Sequence, residues 1–226
     1  MRALLVGATG LVGAHVLARL AREPGCEVVT ALVRTAPRRL PGDPARVRLV
    51  TADFERLHAL RPFPQADAVL CCLGTTIRKA GSQEGFRSVD HDLVLEVARR
   101  ARAAGATRFV LVSAVGADPG SRVFYSRVKG ETERGLQAMG WPRLVVLRPS
   151  MLDGPRREFR LAERIVLALA WPISPLIPAR WRPVHADRVA AAMVALALRD
   201  EPGVHVVESE RIAAIAATER ARRGRP

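Results

Sequence analysis

The stretch RALLVGATGLVGAHVLARL, residues 2–20, decides the fold of this chain of 226 residues. An apolar run typical of a buried strand leads into the motif GATGLVG, residues 7–13, and a helical pattern follows at once. Glycine is needed where a chain turns tightly and where backbone must approach a pyrophosphate at a helix N-terminus. A strand, turn and helix in this order predict a dinucleotide site, with a glycine-rich turn that binds nothing as the alternative. The expected cofactor-binding residues of this turn are Gly7, Thr9, Gly10, Leu11, Val12 and Gly13.

The rest of the chain continues the alternation of strand and helix. Six apolar runs rich in β-branched residues, and a weaker seventh at residues 203–209, are separated by helical patterns. One such pattern, residues 85–105, places Val89, Leu93, Val97 and Ala101 at helical spacing. This rhythm predicts an α/β fold with a doubly wound, mostly parallel sheet that is covered on both faces.

The length and composition indicate a single domain. A chain that is 49% hydrophobic and 26% charged is typical of a globular protein with one core. We expect this domain to span residues 1–210. The longest departure from the alternation lies between about residues 150 and 200, where we expect a small C-terminal substrate lobe. Residues 211–226 are basic and predict a helix end or tail that is partly disordered.

The formal net charge of +14 raises the question of nucleic-acid binding. The arginines are scattered among acidic residues, however, and only 4% of the residues are aromatic, which leaves few side chains for base stacking. The composition therefore does not favour a nucleic-acid partner. Three cysteines, of which Cys71 and Cys72 are adjacent, give neither a disulfide framework nor a metal-ligand spacing, so we expect no metal.

Two features of the sequence bear on location. The first residues lack the long apolar stretch and cleavage site of a secretory signal peptide, so we expect a cytoplasmic protein. The longest uncharged apolar run, residues 165–179, contains three prolines and falls short of the roughly 20 residues of a spanning helix. We therefore expect no membrane span. The oligomeric state, monomer or dimer, stays open.

The choice of cofactor depends on the residues that follow the second and third strands. In this class of site an acid after the second strand accepts a hydrogen bond from the ribose 2′-hydroxyl of NAD, or an arginine meets the 2′-phosphate of NADP. Arg34 stands at that place, with Arg38 and Arg39 close behind, which favours NADP(H). A solvated surface role for Arg34 is the alternative. Asp53, after the third strand, is expected either to contact the adenine amino group or to cap a helix.

The segment FYSRVKGETE, residues 124–133, holds the only tyrosine of the chain and one of its two lysines. Tyr125 and Lys129 are one helical turn apart on the same face, and Ser113 ends the fifth strand in FVLVSAVG. A tyrosine of ordinary pKa, about 10, is a poor proton donor at neutral pH, and a nearby ammonium lowers that pKa. The compact lysine ammonium suits this task and a ribose contact better than a planar guanidinium. These residues predict general acid–base chemistry beside the nucleotide.

The motifs together resemble the short-chain dehydrogenase/reductases, and more narrowly their atypical subgroup of Tat-interacting-protein-like oxidoreductases. The matching stretches are GATGLVG, CCLGTTIRKAGS, FRSVDHD, LVSAVGAD, FYSRVKGE and LRPSMLDG, spread over about residues 1–200. The resemblance implies an NADP-binding Rossmann fold and a small-molecule carbonyl or alcohol substrate. In that scheme Ser113 polarises a carbonyl, Tyr125 is the general acid in reduction and Lys129 binds the ribose. Further cofactor contacts are expected from Leu73, Gly74, Thr75, Pro149 and Ser150.

One position departs from the pattern of the wider family. Many members use an asparagine before the fifth strand to hold a water that relays protons to the lysine, and this chain contains no asparagine. Asp90 stands at the matching place, where its charge would hold Lys129 protonated or support another relay. The alternative is a solvated helix residue, with Asp92 equally available.

The sequence thus predicts an NADP(H)-dependent oxidoreductase that moves hydride between nicotinamide and a carbonyl or alcohol carbon. A non-catalytic NADPH-binding regulator or sensor is the alternative, because the resemblance is to a subgroup whose best-known member looks more like a regulator than a metabolic enzyme.

Overall fold

The computed structural model of the protein describes residues 1–37, 45–153 and 178–223. Within these ranges the strands of the main sheet are β1 (Arg2–Val6), β2 (Val28–Val33), β3 (Val47–Thr51), β4 (Ala68–Cys71), β5 (Arg108–Val112), β6 (Arg143–Arg148) and β9 (Gly203–Glu208). They are all parallel, in the order β3-β2-β1-β4-β5-β6-β9. A short second ladder pairs β7 (Leu152–Asp153) with β8 (Val184–His185). The strand order reverses between β1 and β4, so the doubly wound α/β prediction is confirmed, including the weak seventh strand.

Helices cover both faces of this sheet. In the described ranges they are α1 (Leu11–Leu20), α2 (Ile77–Ala80), α3 (Gln83–Arg87), α4 (Leu93–Ala103), α5 (Phe124–Ala138), α6 (Ala186–Leu198) and α7 (Ser209–Arg223). Because successive strand residues point to opposite faces, Leu5 joins the core under α1 and α6, and Leu4 joins the core under α4. Both leucines are fully buried, so β1 lies at the centre of the molecule.

The helix expected at residues 85–105 is interrupted. A π-helical turn at Ser88–Asp92 separates α3 from α4. The inserted residue shifts the inward face, so that Val94 and Val97 are buried while Leu93 is only half-buried. The same shift turns Asp90, which is 1% exposed, into the interior. The alternative that Asp90 is a solvated helix residue is therefore wrong.

The expected substrate lobe and tail are described only in part. Residues 154–177, the greater part of the lobe expected between about 150 and 200, lie outside the described residues. Within that span α6 packs against α1 and belongs to the main core. The basic C-terminal segment is helical in α7 up to Arg223, and residues 224–226 lie outside the described ranges.

Candidate functional site

The glycine turn after β1 forms a cradle that leaves no room for side chains. Gly7 has a φ of +84°, and a Cβ atom there would lie 2.5 Å from the carbonyl oxygen of Cys72. A Cβ atom on Gly13 would lie 2.0 Å from the Gly7 carbonyl oxygen. The first turn of α1 contains no acidic residue, and its cap, Gly10, makes no side-chain hydrogen bond. The N-terminal amides of α1 therefore suit an anion such as a pyrophosphate.

The loop after β4 lies beside this turn at the reversal of strand order, where ligands bind in open α/β sheets. Leu73 is buried, Gly74 is exposed, and the Thr75 backbone N–H donates to Asp90 Oδ2 at 2.8 Å. The contact between Gly7 and the Cys72 carbonyl brings the two loops together. These predicted cofactor contacts thus lie on two neighbouring loops, and the crevice between the loops is where we expect the dinucleotide.

Lys129 and Asp90 form a buried ion pair beneath that crevice. Lys129 Nζ lies 2.7 Å from Asp90 Oδ1, with the side chains 7% and 0% exposed. A Cβ atom built on Gly74 would lie 3.6 Å from Asp90 Oδ1 and 4.0 Å from Lys129 Nζ, so the pair sits directly under the β4 loop. Burial by itself lowers the pKa of Lys129, but the Asp90 carboxylate, with Tyr125 nearby, outweighs it and raises that pKa above the usual lysine value. Lys129 is therefore charged at neutral pH.

Tyr125 lies in the first turn of α5. Its side chain is 38% exposed, and its ring packs 5.4 Å from the ring of Phe86. Lys129 follows one turn later on the same face and interacts electrostatically with Tyr125. A Cβ atom on Gly130 would lie 2.2 Å from the Pro119 nitrogen, so only glycine lets α5 approach the loop after β5 this closely. The tyrosine is thus exposed to solvent, and the ammonium one turn away is buried.

Ser113 follows β5 and is 6% exposed. Its backbone N–H donates to the Leu147 carbonyl at 2.7 Å, which ties it to β6. Its hydroxyl donates to Glu133 Oε1 at 2.5 Å. Since a hydroxyl has a single proton, this bond leaves only the lone pairs of Ser113 Oγ for another partner. The serine is thus placed at the expected strand end, with its proton already engaged.

Glu133 and its partner Arg148 were missed by the sequence reasoning. Arg148 Nη2 donates to Glu133 Oε2 at 2.6 Å and Arg148 Nη1 donates to Glu208 Oε1 at 3.1 Å. The hydrogen bond to Glu133 raises the pKa of Arg148 most, and the Glu133 and Glu208 charges add to this effect. Glu133 is 2% exposed although it is a carboxylate. A signal existed, because Tyr125, Lys129 and Glu133 are spaced four residues apart on one helix face.

Arg34 and Asp53 follow the carboxyl ends of β2 and β3, and both are exposed. Asp53 Oδ1 accepts from the Glu55 backbone N–H at 3.0 Å within a local turn. The next helical turn, Leu57–Ala59, has Arg56 at its N-cap position and no side-chain cap, so Asp53 caps no helix of the described residues, and its adenine contact stays a prediction. The place of Arg34 at the end of β2 is as expected, and its phosphate contact likewise stays a prediction. Arg38 and Arg39 lie outside the described residues.

Pro149 and Ser150 follow β6 on the same edge of the sheet. The Pro149 carbonyl accepts from the Val115 backbone N–H at 2.9 Å, which fixes this segment beside the loop after β5. Ser150 is 9% exposed, and its hydroxyl donates to the Arg182 carbonyl and accepts from Ser209 Oγ. The Ser150 side chain thus ties three segments together, and its predicted cofactor contact is untested.

The sequence predicts neither a metal site nor a membrane-spanning helix. In the ranges 1–37, 45–153 and 178–223, no group of three or more His, Cys, Asp or Glu side chains is placed to hold a metal ion. None of the helices described there is long and apolar enough to cross a membrane.

Comparison with known proteins agrees with this geometry. A family model described as NAD(P)H-binding matches residues 7–164, from the glycine turn to beyond β7. The chain belongs to this NAD(P)H-binding family. Its resemblance to the atypical short-chain dehydrogenase/reductases is confirmed, and a nicotinamide nucleotide is the cofactor class of the family.

Fungal relatives of this NAD(P)H-binding protein are similar over most of its length. Protein fmp52, mitochondrial, of Emericella nidulans is 40% identical over 71% of this chain and 71% of its own length. Protein FMP52, mitochondrial, of Eremothecium gossypii is 36% identical over 94% of this chain and 96% of its own length. Their names contradict the expected cytoplasmic location. That expectation was wrong because the test for a secretory signal peptide does not distinguish the cytoplasm from a mitochondrial location.

Solved structures confirm the fold. MoeE5 in complex with UDP-glucose and NAD aligns with a TM-score of 0.69 at 17% identity, over 96% of this chain and 81% of that one. WbmH of Bordetella bronchiseptica, in complex with NAD+, aligns with a TM-score of 0.66 at 18% identity, over 92% of this chain and 75% of that one. At such identities the likeness establishes the Rossmann architecture alone.

Proposed function

We propose that this protein is an NADP(H)-dependent oxidoreductase that interconverts a carbonyl compound and its alcohol. The observation that carries the proposal is the buried, charged Lys129 beneath the exposed Tyr125, beside a glycine cradle that fits a pyrophosphate. The bound nicotinamide would supply or accept the hydride. Arg34 at the end of β2 supports NADP(H) over NAD(H), because an arginine at this position of such folds accommodates a 2′-phosphate.

Tyr125 acts as the general acid in reduction and as the general base in oxidation. When it gives its proton to the substrate oxygen, the phenolate that forms lies near the Lys129 ammonium and is stabilised by it. The Lys129 charge is available throughout the neutral pH range, since its pKa is raised. The Phe86 ring packs against the tyrosine ring and restricts where the hydroxyl can point.

Ser113 orients the substrate oxygen through its lone pairs. Because its proton is donated to Glu133, Ser113 Oγ accepts a hydrogen bond from a substrate hydroxyl or from the Tyr125 hydroxyl. To polarise a carbonyl it must rotate its proton away from Glu133. This arrangement binds the alcohol form as it stands and the carbonyl form after one rotation of the serine hydroxyl.

The proposal is tested by the rate of NADPH oxidation with a panel of aldehydes, ketones and quinones. Tyr125→Phe removes the acidic hydroxyl and keeps the ring contact with Phe86, so the rate should fall by roughly 100-fold or more. The affinity for NADPH, measured by calorimetry, should stay within about twofold. Equal rates for the variant and the wild type would refute Tyr125 as the proton donor.

A nucleotide sensor is the second candidate function. Two contacts favour it. The Ser113 hydroxyl donates its proton to Glu133, and the Lys129 ammonium is paired with Asp90, so both groups are less available to a carbonyl substrate. Tight NADPH binding without turnover of any compound in the panel would support the sensor over the enzyme.

A further inference from the structure

Lys129 and Asp90 form a buried ion pair, and both side chains are almost fully shielded from solvent. The ammonium and the carboxylate lie 2.7 Å apart, and the Thr75 N–H donates to the second carboxylate oxygen at 2.8 Å. The Thr132 hydroxyl shares its proton between the Val128 carbonyl at 2.8 Å and the Asp90 backbone carbonyl at 3.0 Å. Asp90 is therefore contacted by two elements, α5 and the β4 loop.

The net charge of this buried group is close to zero. Besides Asp90, the described groups that interact electrostatically with Lys129 are Tyr125 and Cys71. Burial raises the pKa of the Cys71 thiol to about 12, so this thiol is neutral at physiological pH. Asp90 alone thus balances the ammonium.

We propose that Asp90 determines which oxidation state of the nicotinamide nucleotide the site prefers, by raising the affinity for the oxidised form. The inference rests on the proposed function. An oxidised nicotinamide ring carries a positive charge, and the reduced ring carries none. An unbalanced Lys129 ammonium under the β4 loop would repel the oxidised ring, and Asp90 removes this repulsion. A site without Asp90 would favour the reduced nucleotide.

The test is a comparison of affinities, which does not require a substrate. The dissociation constants of NADP+ and NADPH are measured by calorimetry at about pH 6.5 for the wild type, Asp90→Asn, Lys129→Gln and the double variant. Contacts that are lost equally for both nucleotides cancel in the ratio of the NADP+ constant to the NADPH constant. That ratio therefore reports the charge of the site.

The expected pattern follows from electrostatics. At an effective dielectric constant of about 20, one uncompensated unit charge in a buried site changes the affinity for a charged ring by roughly tenfold. The ratio should rise about tenfold in Asp90→Asn, fall in Lys129→Gln and return close to the wild-type value in the double variant. For a two-electron couple a tenfold change corresponds to a shift of about 30 mV in the reduction potential of the bound nucleotide.

The outcomes separate this inference from the proposed function. If the wild type binds neither nucleotide, the proposed function fails, and this inference with it. If both nucleotides bind and the ratio is the same in all four proteins, the proposed function stands and the role of Asp90 is refuted. Circular dichroism spectra and melting curves show that each variant is folded. The double variant, in which both buried charges are absent, is the control for packing changes.

Discussion

Replacing Glu133 with glutamine would remove the charge that holds both Ser113 and Arg148. Glutamine has nearly the same shape, so no cavity is expected. The Glu133 side chain is 3% exposed and that of Arg148 22% exposed, and their closest atoms lie 2.6 Å apart. The substitution leaves a largely buried guanidinium with one remaining carboxylate partner, Glu208.

The expected loss of stability follows from this burial. Removing one partner of a buried ion pair costs about 3–5 kcal/mol. Because Glu208 Oε1 still lies 3.1 Å from Arg148 Nη1, we expect the lower end of that range, about 3 kcal/mol. For a domain of this size each kcal/mol lowers the melting temperature by about 2–4 °C, so the expected decrease is about 6–12 °C.

The assay is urea denaturation of the wild type and of Glu133→Gln in the absence of nucleotide. The matched control is Glu96→Gln, which removes a carboxylate 2.9 Å from Arg99 in a pair whose side chains are 30% and 58% exposed. An exposed pair of this kind should contribute about 0.5 kcal/mol or less. A loss of under about 1 kcal/mol for Glu133→Gln, similar to that of the control, would refute the view that Glu133 anchors a buried network.

Two further predictions concern the cofactor cradle and Lys129. Gly13→Ala should weaken NADPH binding by roughly 100-fold in calorimetry, because the new Cβ would lie 2.0 Å from a backbone oxygen. The control Gly120→Ala, whose Cβ would lie 3.5 Å from a side-chain oxygen, should bind NADPH like the wild type. Equal affinities of the two variants would contradict the role of the glycine turn in binding. In a lysine-selective NMR titration, Lys129 should titrate above the usual value of 10.5, and at lower pH in Asp90→Asn. A lysine whose pKa is raised by folding stabilises the folded state at every pH below its unfolded-state pKa, and this stabilisation is lost as the pH rises through the folded-state pKa. The contribution of Lys129 to the free energy of unfolding should therefore be constant between about pH 6 and 9.

Local patterns were enough to predict the frame of the site. The glycine turn, the strand runs and the spacing of Tyr125 and Lys129 are short-range features, and each has a direct steric or electrostatic requirement. The position of Ser113 at a strand end follows from the same alternation. In the structure these residues lie in the predicted turn, at the predicted strand end and on the predicted helix.

The long-range partners could not be predicted from local patterns. Glu133 bonds with Ser113 and Arg148 across two strands and a helix, and the π-helical turn that directs Asp90 inward interrupts an otherwise regular helical pattern. Such contacts depend on how the elements pack, and a sequence pattern does not report that packing.

The high arginine content also has a structural explanation that composition could not give. Arg100 donates to the His58 carbonyl at 2.7 Å, Arg127 to the Ser121 carbonyl at 3.0 Å, and Arg143 to the Leu196 carbonyl at 3.1 Å. These guanidinium groups satisfy backbone carbonyls at loops and helix ends. Part of the +14 charge thus stabilises the fold.

The central claim, an NADP(H) site at the glycine turn, is tested most directly by calorimetric titration with NADPH and NADH at one moderate salt concentration. The measurement is repeated with Arg34→Ala. The account predicts tighter binding of NADPH than of NADH and a loss of this preference, by roughly tenfold, in the variant. If neither nucleotide binds, the glycine turn is only a scaffold, and the enzyme and the sensor proposals are both contradicted.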